Sequence, residues 1–276
     1  MHVIMESVSI KRKLKEAIVE ANVSMDEEVR RVVEKYTGPF NEALKENIFV
    51  AQEEELPLCQ DTGMLEFFVF QGHNVRIDRP IESIINEAVE EVYLENPFRF
   101  SIVSDPLFSR KNTGNNVPAV VHVMPVEGNV LDIRFLVKGG GSENLSRLYM
   151  LSPGADIDEV KTRIIEHVKN NGAMACPPLH VGIGVGGSSD KAMLLSKLAL
   201  IKDLHERNAD PRYARLEEEL LEELNGLRIG FQGLGKGPTV LSVHIEWFPT
   251  HIATLPLAVS VDCYLCRKGR ILLEDR

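Results

Sequence analysis

Three cysteines far apart in the chain constrain it more than any other feature. Cys59 sits in Leu56-Pro57-Leu58-Cys59-Gln60-Asp61-Thr62-Gly63, Cys176 in Met174-Ala175-Cys176-Pro177-Pro178, and Cys263 at the end of Val261-Asp262-Cys263. A glycine-rich run, Val181 to Gly187, follows the second, and Pro249-Thr250-His251 precedes the third. Each cysteine is flanked by Pro, Gly or an ionisable residue, which suits a loop at the end of an element. Side chains so far apart share a site only if the fold brings three loops to one place.

A chain of 276 residues is long enough for one large domain or two small ones. Its 44% hydrophobic and 26% charged content is ordinary for a globular protein. The formal charge of −10 argues against nucleic acid as a partner. It leaves room for a small anionic substrate, since a few local Arg and Lys residues reverse the field inside a cleft. No run of about 18 apolar residues is present to cross a membrane. The N-terminus, Met1 to Glu6, lacks a basic region followed by an apolar core, so no secretory signal is read there. The expected compartment is cytoplasmic, where thiols stay reduced. There the four cysteines, Cys266 included, point to metal or catalysis ahead of disulfides, against a plain reading as small buried apolar residues.

Apolar spacing predicts helix over residues 7–36, with Ser24 and Glu27 opening a second segment as a capping box. A third helix is expected over 40–54. Residues 1–55 then form the mainly helical part of the domain. Leu65 to Phe70 reads as a strand, and Pro80 begins a helix through Tyr93. Pro118–Met124 and Val130–Val137 read as a hairpin about Glu127-Gly128-Asn129. A helix at 156–170 leads to Cys176, and a strand at 179–185 leads to a helix from Asp190 to about Arg207, capped by Ser188 or Ser189. Pro211–Leu224 reads as an acidic helix, and Val240–Trp247 and Leu257–Asp262 as strands. The expected fold is mixed α/β: a single domain over 1–276, with a helical N-terminal layer and β-sheets carrying the cysteine loops.

Gly182-Ile183-Gly184-Val185-Gly186-Gly187 falls short of a dinucleotide fingerprint and lacks the surrounding strand–helix–strand unit. A glycine turn offering backbone N–H groups and a helix N-terminus to an anion is the preferred reading. Gly230 to Gly237 resembles a phosphate loop, but Gly237 stands where a Ser or Thr should bind magnesium, so it reads as a glycine-rich turn. In Lys138-Gly139-Gly140-Gly141, glycines permit close backbone approach and an anion nest, or a flexible strand exit. Cys263-Tyr264-Leu265-Cys266 supports zinc, redox or cluster chemistry. A four-cysteine zinc site stays open, although it has no use for Gln60, Asp61 and His251.

Taken together, these stretches resemble one family. Cys-Gln-Asp-Thr-Gly at 59–63, Asp105-Pro106-Leu107 with Arg110 to Asn115 after it, Lys-Gly-Gly-Gly-Ser-Glu-Asn at 138–144, Cys176-Pro177-Pro178 with the glycine run at 182–187, and Pro-Thr-His at 249–251 are similar to the iron–sulfur (class I) fumarate hydratases and the related L-tartrate dehydratases. The resemblance runs from about residue 45 to about 270, and matches the α subunit of the two-subunit form.

The resemblance implies a [4Fe–4S] cluster held by Cys59, Cys176 and Cys263, with one iron open as a Lewis acid, and leaves Cys266 as a nearby thiol. It implies reversible hydration of fumarate to L-malate. Asp61 is then the candidate base or proton relay, and His251 an acid, a hydrogen-bond donor or a structural histidine. Gln60 would hydrogen-bond substrate, Arg99 would grip a carboxylate, Gly140 and Gly141 would offer amides, and Lys138 would add charge. The family's second domain is missing, so a separate β subunit is expected, in an α2β2 assembly acting on a small dicarboxylate. L-Tartrate dehydration is the nearest alternative. A non-catalytic zinc or redox-sensing module is the alternative of another class.

Overall fold

The computed structural model describes residues 3–274. In chain order its elements are β1 (Val3–Met5), α1 (Ser7–Val23), α2 (Glu27–Lys35), α3 (Asn41–Glu53), β2 (Met64–Gly72), β3 (Val75–Ile77), α4 (Ile81–Glu95), β4 (Val120–Val126), β5 (Leu131–Lys138), α5 (Gly140–Glu143), β6 (Arg147–Leu151), α6 (Ile157–Asn171), β7 (Leu179–Gly186), α7 (Ser189–Leu200), α8 (Pro211–Gly226), β8 (Val240–Phe248), β9 (Leu255–Asp262) and β10 (Lys268–Leu273). The fold is mixed α/β, as expected. Among the described residues no helix is long and apolar enough to cross a membrane. The chain forms two compact units. One holds the segments up to Asp26, Lys45–Gly140 and from Arg267 onward; the other holds Glu27–Leu44 and Gly141–Cys266.

The first unit is built on a four-stranded sheet in the order β10-β5-β2-β4. β2 is central, and Leu65 to Val69 are buried on both faces, with Glu66 the one charged residue among them, so burial along it is continuous rather than alternating. β5 pairs antiparallel with β2, and β4 pairs parallel with it from the other side. The hairpin expected for these segments is therefore not formed: β2 lies between the two strands. Its cross-strand partners outweigh the short Glu127-Gly128-Asn129 turn. Helix α1 buries Ile10, Leu14 and Ile18, at i, i+4 spacing, in the same core as Ile84, Ile85, Ala88 and Val92 of α4. Each such side chain contributes about 1.5–3 kcal/mol when fully buried. Lys11 and Lys15 bond Glu91 at 2.8 and 2.9 Å along the outer edge of this pair.

The second unit is a four-stranded sheet in the order β6-β9-β7-β8. Val181 and Ile183 of β7 join one core with Ile164 and Val168 of α6 and Leu220 and Leu224 of α8. The alternate residues, Gly182 and Gly184, face α7. A Cβ at Gly184 would stand 2.0 Å from the Ala192 carbonyl, and one at Gly182 would stand 2.1 Å from that of Ser196. These glycines let helix and strand backbones touch, so the anion-turn reading of the run fails for Gly182 and Gly184, which are strand residues under a helix. Only Gly186 and Gly187, both with positive φ, form a turn.

Candidate active site

In the second unit the sheet register places two cysteine loops together. β7 and β9 are antiparallel with His180 opposite Asp262. Cys176 precedes the start of β7 and Cys263 follows the end of β9, so both loops leave the sheet at the same end. The Tyr264 N–H donates to the Cys176 carbonyl at 3.3 Å, tying them. Cys176 is exposed, in a left-handed conformation (φ 51°, ψ 63°), and closes the turn after α6. Beneath Cys263, the buried Asp262 accepts the Cys263 N–H at 2.9 Å and the Ser142 hydroxyl at 3.0 Å. The Ser142 loop, expected to approach a ligand, is thereby anchored to the Cys263 loop.

His251 is elsewhere. It follows β8, whose last residue pairs with Gly186 at the far end of β7. At about 3.3 Å per strand residue, the length of β7 puts it roughly 20 Å from Cys176 and Cys263. His251 is exposed, its Nδ1 accepts the Ala253 N–H at 3.1 Å, and Thr250 bonds the Gly187 carbonyl at 2.8 Å.

The first unit holds Cys59, half-buried, and the exposed Gln60. The loop they belong to is tightly fixed. Thr62 is fully buried; its hydroxyl donates to the Arg99 carbonyl at 2.6 Å, and Tyr93 donates to the Thr62 carbonyl. Burial pushes the Tyr93 phenol well above its ordinary range, so it stays a neutral donor. Asn116 donates to the Gly63 carbonyl at 3.1 Å and accepts the Ser101 N–H. Gly63 has φ +70°, and a Cβ there would lie 2.8 Å from the Lys138 carbonyl, so a side chain would part the loop from β5.

These contacts aim the Asp61 carboxylate. Oδ1 accepts the Gly63 N–H at 3.0 Å and the Ser101 hydroxyl at 3.3 Å, and Oδ2 accepts the Gly140 N–H at 2.8 Å. The backbone amide expected to serve substrate at Gly140 is thus already facing a carboxylate. Gly141 is exposed, Lys138 is buried at the end of β5, and Arg99 has an exposed side chain. Sequence reasoning missed Arg267. Its guanidinium, on a residue 4% exposed, donates to the Asp61 carbonyl at 2.6 Å and to Asn22 at 3.2 Å. Its only signal was its place next to Cys266.

The fourth cysteine differs from the others. Cys266 is 4% exposed, and its thiol faces the Leu200 carbonyl at 4.0 Å. Within neither unit do three His, Cys, Asp or Glu side chains gather, among the described residues, as a site for a single metal ion. Three of the thiols, Cys59, Cys176 and Cys263, are at least partly accessible on loops held by backbone hydrogen bonds, and the fourth is packed away.

The chain matches the family model described as fumarate hydratase (Fumerase) over residues 8–271. The chain belongs to the fumarate hydratase family. Within this family it is 36% identical over 274 residues to a Methanocaldococcus jannaschii protein provisionally named L(+)-tartrate dehydratase subunit alpha, covering 93% of this chain and 95% of that one. It is 35% identical over 231 residues to the L(+)-tartrate dehydratase subunit alpha of Escherichia coli O157:H7, covering 83% and 76%. The Shigella sonnei protein of the same name is 34% identical, with the same coverage. The fumarate hydratase and tartrate dehydratase names share one reaction class, and the chain is a hydro-lyase.

Proposed function

We propose that this chain is the α subunit of an iron–sulfur hydro-lyase that interconverts fumarate and L-malate. The observation carrying the reading is the contrast among the cysteines, three accessible on fixed loops and one buried, within a hydro-lyase family. Cys59, Cys176 and Cys263 would hold a [4Fe–4S] cluster, which when bound supplies a Lewis acid for the hydroxyl that leaves or enters. Asp61 is the proton-transfer group. Its carboxylate is oriented by Gly63, Ser101 and Gly140, and its backbone is held by the buried Arg267, so it needs no reorganisation to take a proton beside a substrate carboxylate. Gln60 and Arg99, both exposed, meet the substrate's polar groups.

His251 takes a different place in this reading. It lies a strand length from the Cys176 and Cys263 loops of its own unit, so it serves the site of a second copy of this chain. An α2β2 assembly supplies that copy, and the alpha-subunit names of the relatives support the β partner.

A second reading, L-tartrate as substrate, is favoured by the names of the relatives. The two substrates differ by one hydroxyl, which a few pocket contacts distinguish. Steady-state assays of the α–β complex on L-malate and L-tartrate decide between them. The malate reading expects the larger kcat/KM on malate; a preference for tartrate of about tenfold or more assigns the second.

A further inference from the structure

Within the first unit, a pair of residues distant in sequence from the Cys59 loop holds both of its flanks. On the near side, the Leu58 N–H donates to the Asn22 carbonyl at 2.9 Å, and the Asn47 amide donates to the Leu58 carbonyl at 3.0 Å. On the far side, Arg267 Nη2 donates to the Asp61 carbonyl at 2.6 Å. Arg267 Nη1 donates to Asn22 Oδ1 at 3.2 Å, and this bond joins the two sides. Between the two fixed points lie Cys59 and Gln60.

The pair is itself fixed. Asn22 is fully buried, and its Nδ2 donates to the Ile18 carbonyl at 2.9 Å within α1, which leaves Oδ1 for Arg267. The Arg267 carbonyl accepts the Val137 N–H of β5 at 2.8 Å, one residue before β10 begins. A guanidinium is planar, so its two nitrogens hold Asn22 and the Asp61 carbonyl at one set spacing, which a compact ammonium does not reproduce. The arrangement is costly. Neutral oxygens offset only part of the desolvation of a buried cation, and an apolar side chain of similar size would be cheaper there. What Arg267 supplies is therefore position rather than stability.

We propose that Asn22 and Arg267 form a buried brace that sets the separation between Cys59 and the Asp61 carboxylate, with Arg267 a positioning residue that acts through Asp61. This rests on the reading of Asp61 as the proton-transfer group. The carboxylate has its own donors in Gly63, Ser101 and Gly140, so releasing the carbonyl shifts the group without removing it. A shift on the order of 1 Å is enough to cost about 10²-fold in rate.

The test is steady-state kinetics on L-malate and L-tartrate, with hydrogen–deuterium exchange, for the α–β complex carrying Arg267→Lys, Asp61→Asn or both. Arg267→Lys should lower kcat by roughly 10–10²-fold with KM within about threefold, and exchange over residues 58–63 should speed up by about fivefold or more. The double variant should be no slower than Asp61→Asn alone, because the two losses run through one group. Asn22→Ala should show the same pattern, smaller, and decides the matter if Arg267→Lys does not assemble. A kcat within about twofold of wild type, a loss carried by KM, unchanged exchange over 58–63, or losses that multiply in the double variant overturns the proposal. A fully active Asp61→Asn rejects the proton-transfer reading itself; an inactive Asp61→Asn beside a fully active Arg267→Lys rejects the brace alone.

Discussion

His180 on β7 lies opposite Asp262 on β9, and this register decides where two of the cysteines go. Because the strands are antiparallel, the residue before one and the residue after the other leave the sheet at the same end. Cys176 and Cys263 follow from that relation, and the Tyr264-to-Cys176 hydrogen bond closes it. Cys266, three residues on, is turned inward towards Leu200. Cys59→Ser, Cys176→Ser and Cys263→Ser are each expected to lose the cluster, and Cys266→Ser to retain it. Visible absorbance of anaerobically prepared variants reads this directly. Loss in Cys266→Ser with retention in Cys263→Ser would move the third ligand.

Asp61 is held by three donors and is the proposed proton-transfer group. Asp61→Asn keeps the shape and one acceptor oxygen. It should retain iron and melting temperature while lowering kcat by roughly 10²–10⁴-fold. Unchanged kcat would remove Asp61 from the chemistry.

The distance between His251 and the two cysteine loops makes a prediction about mixtures. His251→Ala and Cys263→Ser should each be inactive as pure proteins. Co-refolded or co-expressed, they should regain part of the wild-type activity, because a hybrid pairs an intact cluster in one chain with an intact histidine in the other. No recovery, with hybrid assembly verified by mass, removes the cross-chain role of His251.

Asp132 links β5 to β10 through Arg270 and also bonds Arg134 on its own strand, with contacts of 2.8 to 3.0 Å. Burial pushes its carboxyl pKa up, but the two guanidinium groups outweigh this and hold it below the usual value. A carboxyl with a lower folded than unfolded pKa adds stability above the unfolded value, lost as pH falls through the folded one. Asp132→Asn should lower stability at pH 7 by about 1 kcal/mol, a modest figure because Arg270 is half exposed. The deficit should shrink below roughly pH 4, and thermal melts across pH 3–7 measure it.

Local pattern made most elements legible. Helix α1 follows from the spacing of Ile10, Leu14 and Ile18, and α8 from Pro211 at its start. Pairing was not legible. The turn at Gly128 signals a hairpin, yet β2 inserts between β4 and β5, a long-range choice invisible in either segment. The helix read through Arg207 ends at Leu200. The roles of Gly182 and Gly184 depend on α7 lying against them, which strand periodicity does not reveal. The cysteine loops and Asp61 stood out because polar residues cluster beside Pro and Gly. Arg267 did not, since its partners Asp61 and Asn22 are distant in sequence. The placement of His251 also needed the sheet, because Pro-Thr-His precedes Cys263 by one strand and that strand carries it to the opposite end.

Three of the four cysteines are proposed to hold a cluster that works in a hydro-lyase site. Anaerobic purification of the native α–β complex, followed by iron, zinc and acid-labile sulfide analysis with a parallel assay on L-malate and L-tartrate, tests it most directly. About four iron and four sulfide per α chain are expected, with activity that falls with cluster loss in air. Stoichiometric zinc in freshly isolated protein, with no cluster after reconstitution with iron and sulfide, would contradict it.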